Sequence, residues 1–325
     1  MKKIFPFLAA AFCFGETPPL PSPTPTKPIH PDSIGATVSA NFIYWQPLQD
    51  SFDLGKINPH GGASLPTIGL TTKDFDFEFV PGFQVGLGAD FNHDGFSLYS
   101  QYTWLASTET TSVHTTSPAH IIPSWLSSDN TGDANAVSNR WKFWFNIADL
   151  SLRRVSMLGM KLAFTPFVGG RFLWIDQTLT SNITLATGHE AVSYTKASGW
   201  FLGPRIGIEG NWFVGGGFKV IGNFDFSILY AVFSTHHTES NVNTNPDNIV
   251  IDASATSTGF KPNFDFTVGF GWETDFRQGR EHLDLCLQYD WLFFLESNFL
   301  SAAASRSGPI NLTLNGLTLK TTVSF

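Results

Sequence analysis

Long runs of this chain alternate apolar and polar residues with a period of two, and the apolar parity carries almost no charge. Successive side chains on a strand point to opposite faces, so each run has one oily face and one wet face. In the cleanest run Phe218, Val220, Phe224, Phe226, Ile228, Tyr230 and Val232 alternate with Lys219, Asn223, Asp225 and Ser227. The same rhythm marks Ile34–Tyr44, Phe75–Phe91, Phe96–Trp104, Trp141–Ile147, Leu162–Trp174, Trp200–Trp212, Phe264–Trp272, Leu283–Leu295 and Leu317–Phe325. Across these apolar parities one charge falls inside a strand, Asp149, where the rhythm slips. A charge facing lipid at mid-bilayer costs about 2–4 kcal/mol, so a parity this clean is what a lipid-facing wall requires. A soluble sandwich also alternates, but its strands usually run about 5–6 residues. These are longer, as a tilted bilayer crossing demands.

The predicted fold is therefore all-β: an antiparallel transmembrane β-barrel of about ten strands. Strand pairs within the long loops would raise the number to twelve or more, with segment 177–197 as the first source. Long connections (46–73, 106–139, 177–197, 234–261, 296–315) alternate with short ones (92–95, 153–159, 213–217, 276–281). That asymmetry is the one expected of short periplasmic turns and long extracellular loops. No stretch beyond the N-terminus is continuously apolar over about 18 residues, which excludes a helical membrane protein. Only 14% of residues are charged, and the net charge of −8 argues against a nucleic-acid surface.

The N-terminal residues read as an export signal over 1–15, basic at Met1–Lys3 and apolar over Ile4–Phe14, with a cut before Glu16. Residues 16–32 hold seven prolines between Thr17 and Pro31 and form an extended periplasmic tether. The barrel domain is 33–325, in the outer membrane. Of the two cysteines, Cys13 lies in the signal, so Cys286 has no partner for an internal disulfide. The final strand ends on Phe325, the expected signal for the barrel-insertion machinery.

On the polar parity, expected to line the lumen, stand the acids Asp76, Glu78, Asp90, Glu209, Asp225, Asp265, Glu273, Asp284 and Asp290. The bases there are Arg140, Lys142, Lys161, Arg171, Arg205, Lys219 and Lys320. Nine acids against seven bases set no ion preference. Either these charges ring a wet lumen and filter solutes, or they pair across a narrow barrel and fill it. On the lipid parity Trp104, Trp141, Trp174, Trp200, Trp212, Trp272 and Trp291 are expected at the membrane interfaces, where an indole sits at headgroup level. Trp45 falls on the polar parity instead.

No catalytic or metal chemistry stands out. Asp90-Phe91-Asn92-His93-Asp94-Gly95 matches half of a calcium loop, but position twelve is Gln101 where a bidentate Glu is wanted, so a tight turn is the better account. The loop histidines His60, His114, His120, His189 and His236-His237 lack ligand spacing to the strands. An enzyme of this barrel class would need a Ser or Asp beside a His at the outer rim, with His114, His189 and His237 as the residues to check.

With the segments laid out, several stretches carry a family likeness. They are Phe79-Val80-Pro81-Gly82-Phe83-Gln84-Val85-Gly86-Leu87-Gly88 and the run from His93 to Leu105. Pro166-Phe167-Val168-Gly169-Gly170-Arg171 with Ile175-Asp176-Gln177, Gly203-Pro204-Arg205-Ile206-Gly207, and Asn315-Gly316-Leu317-Thr318-Leu319 follow in order. In these the chain resembles the Legionella-type major outer membrane protein family, the MOMP-like pore-forming barrels also found in chlamydia-like bacteria. The resemblance implies an outer-membrane porin with surface exposure, passing small solutes by diffusion. It brings no cofactor. The partners expected of such a barrel are lipid, the insertion machinery, small solutes and further copies of the chain. The cysteine-linked envelope behaviour of chlamydial relatives does not carry over, because Cys286 stands alone. The competing expectation is a structural or adhesive barrel with a largely plugged lumen and surface-exposed binding loops.

Overall fold

The computed structural model describes residues 35–60, 69–91, 95–126, 133–240, 249–276, 281–297 and 311–325, with Leu300. The signal segment, the tether and the 92–94 part of the calcium-like stretch lie outside them. Among the described residues fourteen strands follow in chain order. They are β1 (Gly35–Gln49), β2 (Asp53–Asn58), β3 (Thr71–Asp74), β4 (Val80–Asp90), β5 (Phe96–His114), β6 (His120–Pro123) and β7 (Ala134–Arg154). Then come β8 (Ser156–Leu158), β9 (Leu162–Leu185), β10 (Glu190–Gly215), β11 (Phe218–Ser240), β12 (Ile249–Phe276), β13 (Glu281–Phe294) and β14 (Leu312–Ser324).

Ten of these close a ring in the order β1-β4-β5-β7-β9-β10-β11-β12-β13-β14, every neighbour antiparallel. The ring shuts where β1 pairs with β14, and Phe325 and Ala36 exchange backbone hydrogen bonds at 2.8 and 3.3 Å. Closure leaves no unpaired edge within the membrane, which is the condition a strand-built membrane protein must meet. The short strands β2, β3 and β6 extend the sheet from β7 at the end with the long connections, and β8 pairs with β9 at the opposite end.

Segment 177–197 adds no strand to the ring. It lengthens two: β9 and β10 stay in register from Trp212↔Leu162 up to Glu190↔Thr184. β11 and β12 likewise pair as far as Ser240↔Ile249. A bilayer crossing takes about 9–11 residues, so these strands of 23 to 28 residues rise well beyond it. The surplus forms a crown on the extracellular side.

The outward rows are apolar through the belt. Val38, Phe42, Phe83, Leu87, Val168, Leu202, Ile206, Phe224, Val268 and Leu287 are all exposed on the wall. One row departs from the sequence expectation. Trp141, Phe143, Phe145 and Ile147 are buried and share the inward parity of Asp149, while Arg140, Lys142, Trp144, Leu150 and Leu152 are exposed. No slip occurs, because the β7–β9 register is unbroken from Ala136 to Arg153. The inward row is the more apolar one because the upper lumen is itself an oily core.

Candidate functional site: a filled lumen

From the periplasmic mouth upward, the inward side chains fall into four layers. Gly86 opens the lowest, because a Cβ there would lie 2.1 Å from the Tyr99 hydroxyl, which instead reaches Ser39 Oγ at 2.7 Å. The Arg153 guanidinium lies 4.0 Å from the centre of the Tyr99 ring and pairs with Glu209 at 3.0 Å. Across the lumen the Lys219 ammonium donates to Asp284 at 2.8 Å and Glu273 at 3.0 Å, and the Cys286 thiol donates to Asp284 at 3.1 Å. Asp90 stands at the mouth within 3.4 Å of the Thr37 hydroxyl, and Lys320 lies on the inward row of β14.

Above this layer sits a buried charge cluster. Arg171 grips Asp149 with two parallel bonds, Nε to Oδ1 at 2.8 Å and Nη2 to Oδ2 at 2.9 Å. Its Nη1 also reaches Asp265 at 2.7 Å and donates to Asn263. Arg205 makes a second fork onto Asp225, at 3.0 and 2.5 Å, and touches Asp149 at 3.3 Å. Planar guanidinium forks suit carboxylates in this way, and pairing is what makes buried charge tolerable. Asp290 is held apart from the Arg171 cluster, accepting from the hydroxyls of Thr318 at 2.5 Å and Thr267 at 2.7 Å.

The third layer is apolar. Ile43, Leu105, Phe145, Leu173, Phe201, Leu229, Phe294 and Leu314 come from eight of the ten ring strands and are between 0 and 2% exposed. They join one packed cluster with Trp45, Trp141 and Phe143. Trp45 donates from Nε1 to Thr318 at 3.0 Å, which accounts for its place on the polar parity. Phe52, Leu54, Phe75, Ile121 and Trp125 cap the cluster from the extracellular hairpins, with Phe52 edge-on to Phe75 and Trp125 at 5.2 Å each. A side chain lining a water-filled channel must show surface to water. These do not.

The top layer is polar again. Gln49 bonds Gln177 at 2.5 Å, and Ser181 donates to Asn139 at 2.6 Å. Glu109 accepts from Ser107 at 2.5 Å and from the Glu78 backbone N–H at 3.1 Å. Burial pushes the Glu109 carboxyl up from its ordinary range, partly offset by those two bonds. His237 does have neighbours of the kind an enzyme would need: Thr195 Oγ1 lies 2.8 Å from Nδ1 and Glu239 Oε1 lies 2.9 Å from Nε2. All three are buried, however, with Thr195 and Glu239 at 1% exposure, so no substrate reaches the hydroxyl.

Five residues expected in the lumen lie elsewhere. Asp76 and Glu78 are exposed on the coil that precedes β4, outside the ring. Lys161 is exposed in the turn before β9, where its carbonyl accepts from Phe213 N–H at 2.8 Å. Arg140 and Lys142 follow the corrected parity of β7 and face outward. Trp141, expected at the interface, is core, and its place on the wall is taken by Trp144. Trp200 and Trp212 are exposed on the outer wall, and Trp104, Trp174, Trp272 and Trp291 share its outward rows. The sequence reading missed Arg153, which falls two residues beyond Ser151 on the inward parity but looked like part of a turn.

A closed ring of antiparallel strands, apolar outside and with short turns at one end, defines a transmembrane β-barrel of the outer membrane. The model of the family described as the Legionella pneumophila major outer membrane protein precursor matches residues 31–325, and the chain belongs to that family. No curated protein matches it. Among solved structures, the outer membrane protease OmpT of Escherichia coli is similar at a TM-score of 0.50 and 11% identity, covering 91% of this chain and 97% of that one. Ail, the attachment invasion locus protein of Yersinia pestis, matches at 8% identity and a TM-score of 0.25, covering 90% of this chain and 98% of its own. The toluene transporter TodX of Pseudomonas putida matches at 8% and 0.26, covering 91% and 89%. At such identities the likeness to OmpT speaks for the barrel alone.

Proposed function

We propose that the chain is a non-enzymatic outer-membrane barrel that acts through its wall and extracellular crown, with a lumen closed to steady diffusion. The observation that carries this is the apolar layer, whose side chains from eight ring strands meet across the axis at no more than 2% exposure. Beneath it most of the inward charges pair with one another. Arg171, Arg205, Asp149, Asp225 and Asp265 form one paired set, and Lys219, Glu273 and Asp284 another. Ten strands lie near the size at which side chains fill a barrel, far from the 16–18 of open porins. Lipid and the barrel-insertion machinery are the partners this reading implies.

The porin reading keeps one supporting observation. The upper part of the seal comes from hairpin residues Phe52, Leu54, Phe75 and Trp125, which belong to connections and not to the ring. Their withdrawal would thin the plug. Planar-bilayer recording of the folded protein separates the two. The closed barrel gives no stable ohmic steps, whereas regular steps from the wild type would restore passive solute diffusion as its function.

A further inference from the structure

The outer wall carries a feature that the lumen does not explain. On β7 the outward row leaves the belt at Trp144, which is 55% exposed, and continues with Lys142 and Arg140. The register sets Thr108 of β5 and Thr178 of β9 on either side of Lys142. Thr178 in turn lies opposite Lys196 of β10. Lys142 and Lys196 thus stand two strands apart, about 10 Å, with a threonine between them. Among the described residues these three are the outward-facing Lys and Arg side chains in the extracellular halves of the ring strands, and none makes an ion pair. Beside them His236 is already paired with Asp252 at 2.8 Å.

Height fixes what they can meet. Below the patch Trp104, Asn146, Trp174 and Trp200 lie in register across four strands, and an indole ladder of this kind marks the headgroup boundary. Lys142, Thr178 and Lys196 are each four residues further out. At ~3.4 Å per residue and a tilt of ~40°, that is about 10 Å higher. A ligand spanning the indole row and Lys142 must therefore have apolar chains at one end and an anion at the other.

We infer that this patch binds the phosphate of a phosphorylated glycolipid in the outer leaflet. The Lys142 and Lys196 ammoniums and the Arg140 guanidinium take the phosphate oxygens, the Thr178 hydroxyl donates between them, and Trp174 and Trp200 at the boundary below pack against an acyl chain. Two acids lie near: Asp252, engaged by His236 opposite Lys196, and Asp176, opposite Trp144 in register, which weakens the site. The assignment holds whether or not the lumen conducts.

The test is lipid retention by the full chain extracted from outer membranes, read by native mass spectrometry. Wild type should keep phosphorylated glycolipid bound, and R140Q/K142Q/K196Q should keep at least fivefold less while still migrating as a folded barrel. R154Q/K161Q, which removes charge at the periplasmic end, should match wild type, and D176N should retain more. Reconstituted with dephosphorylated glycolipid, the wild type should fall to the level of the triple variant. Unchanged retention in the triple variant overturns the inference, as does equal binding of the dephosphorylated lipid. Complete displacement by inorganic phosphate alone would also overturn it, by assigning the patch to a free anion.

Discussion

Arg171 shows how much hangs on a single side chain. Its guanidinium is shared by Asp149 and Asp265 on opposite walls, with Asp225 3.8 Å away. Truncation leaves Asp265 without its cation and Asp149 and Asp225 sharing Arg205 alone, and an unpaired buried charge costs about 3–5 kcal/mol. Arg171→Ala should therefore lose most of its folded fraction in urea titrations followed by heat-modifiable migration. Ion pairs can be replaced as a set where they cannot be halved, since well-packed apolar groups of similar volume often serve as well. R171M/D149L/D265L should accordingly recover stability over Arg171→Ala. A triple variant no better than the single one would mean that the cluster is not the closed unit its distances describe.

The crown is where strands outrun the bilayer, and its stability has a sign that pH can read. Glu109 sits there with its carboxyl raised from the ordinary value of 4.5 by burial. A raised acid takes up a proton on folding, so its contribution is fully present below the unfolded pKa and is lost as pH rises through the folded one. Protease cleavage of the crown should thus become easier from about pH 4.5 upward, and Glu109→Gln should flatten that dependence. A wild type whose resistance grows over the same range would contradict it. The crown was also the part least legible in the sequence. Alternation found the ten ring strands because lipid penalises every outward charge alike, and so Phe218–Val232 could be read directly. In β7 the same rule failed. Once a strand rises into the crown, water lies outside and oil inside, so Trp141-Lys142-Phe143 reverses the code that Leu150-Ser151-Leu152 still obeys. Asp149 looked like a break in rhythm only because that reversal passes through it. Asp76 and Glu78 misled for a neighbouring reason: Phe75 and Phe77 alternate with them, but they do so over the hairpin cap, ahead of the ring.

At the scale of the whole molecule, two sources contribute to the seal, and they make different predictions. If the hairpins were the stopper, F52A/F75A/W125A would open a path. The ring residues argue otherwise, because Phe145, Leu173, Phe201, Leu229 and Leu314 reach the packed cluster from the wall itself. A barrel of ten strands has little interior beyond what such side chains occupy. Removing the cap should therefore expose the crown to protease and leave the bilayer current at baseline. Cutting the wall residues, as in F143S/F145S/F294S, deletes stacked and edge-on rings whose centroids lie 5.8 and 5.6 Å apart, and puts hydroxyls where water can follow. That variant should show small cation or anion steps in planar bilayers, provided its migration confirms a folded barrel. Current from the hairpin variant with none from the wall variant would invert the assignment. The lumen would then be a channel stoppered by its own loops, and the paired charges below it the walls of a passage.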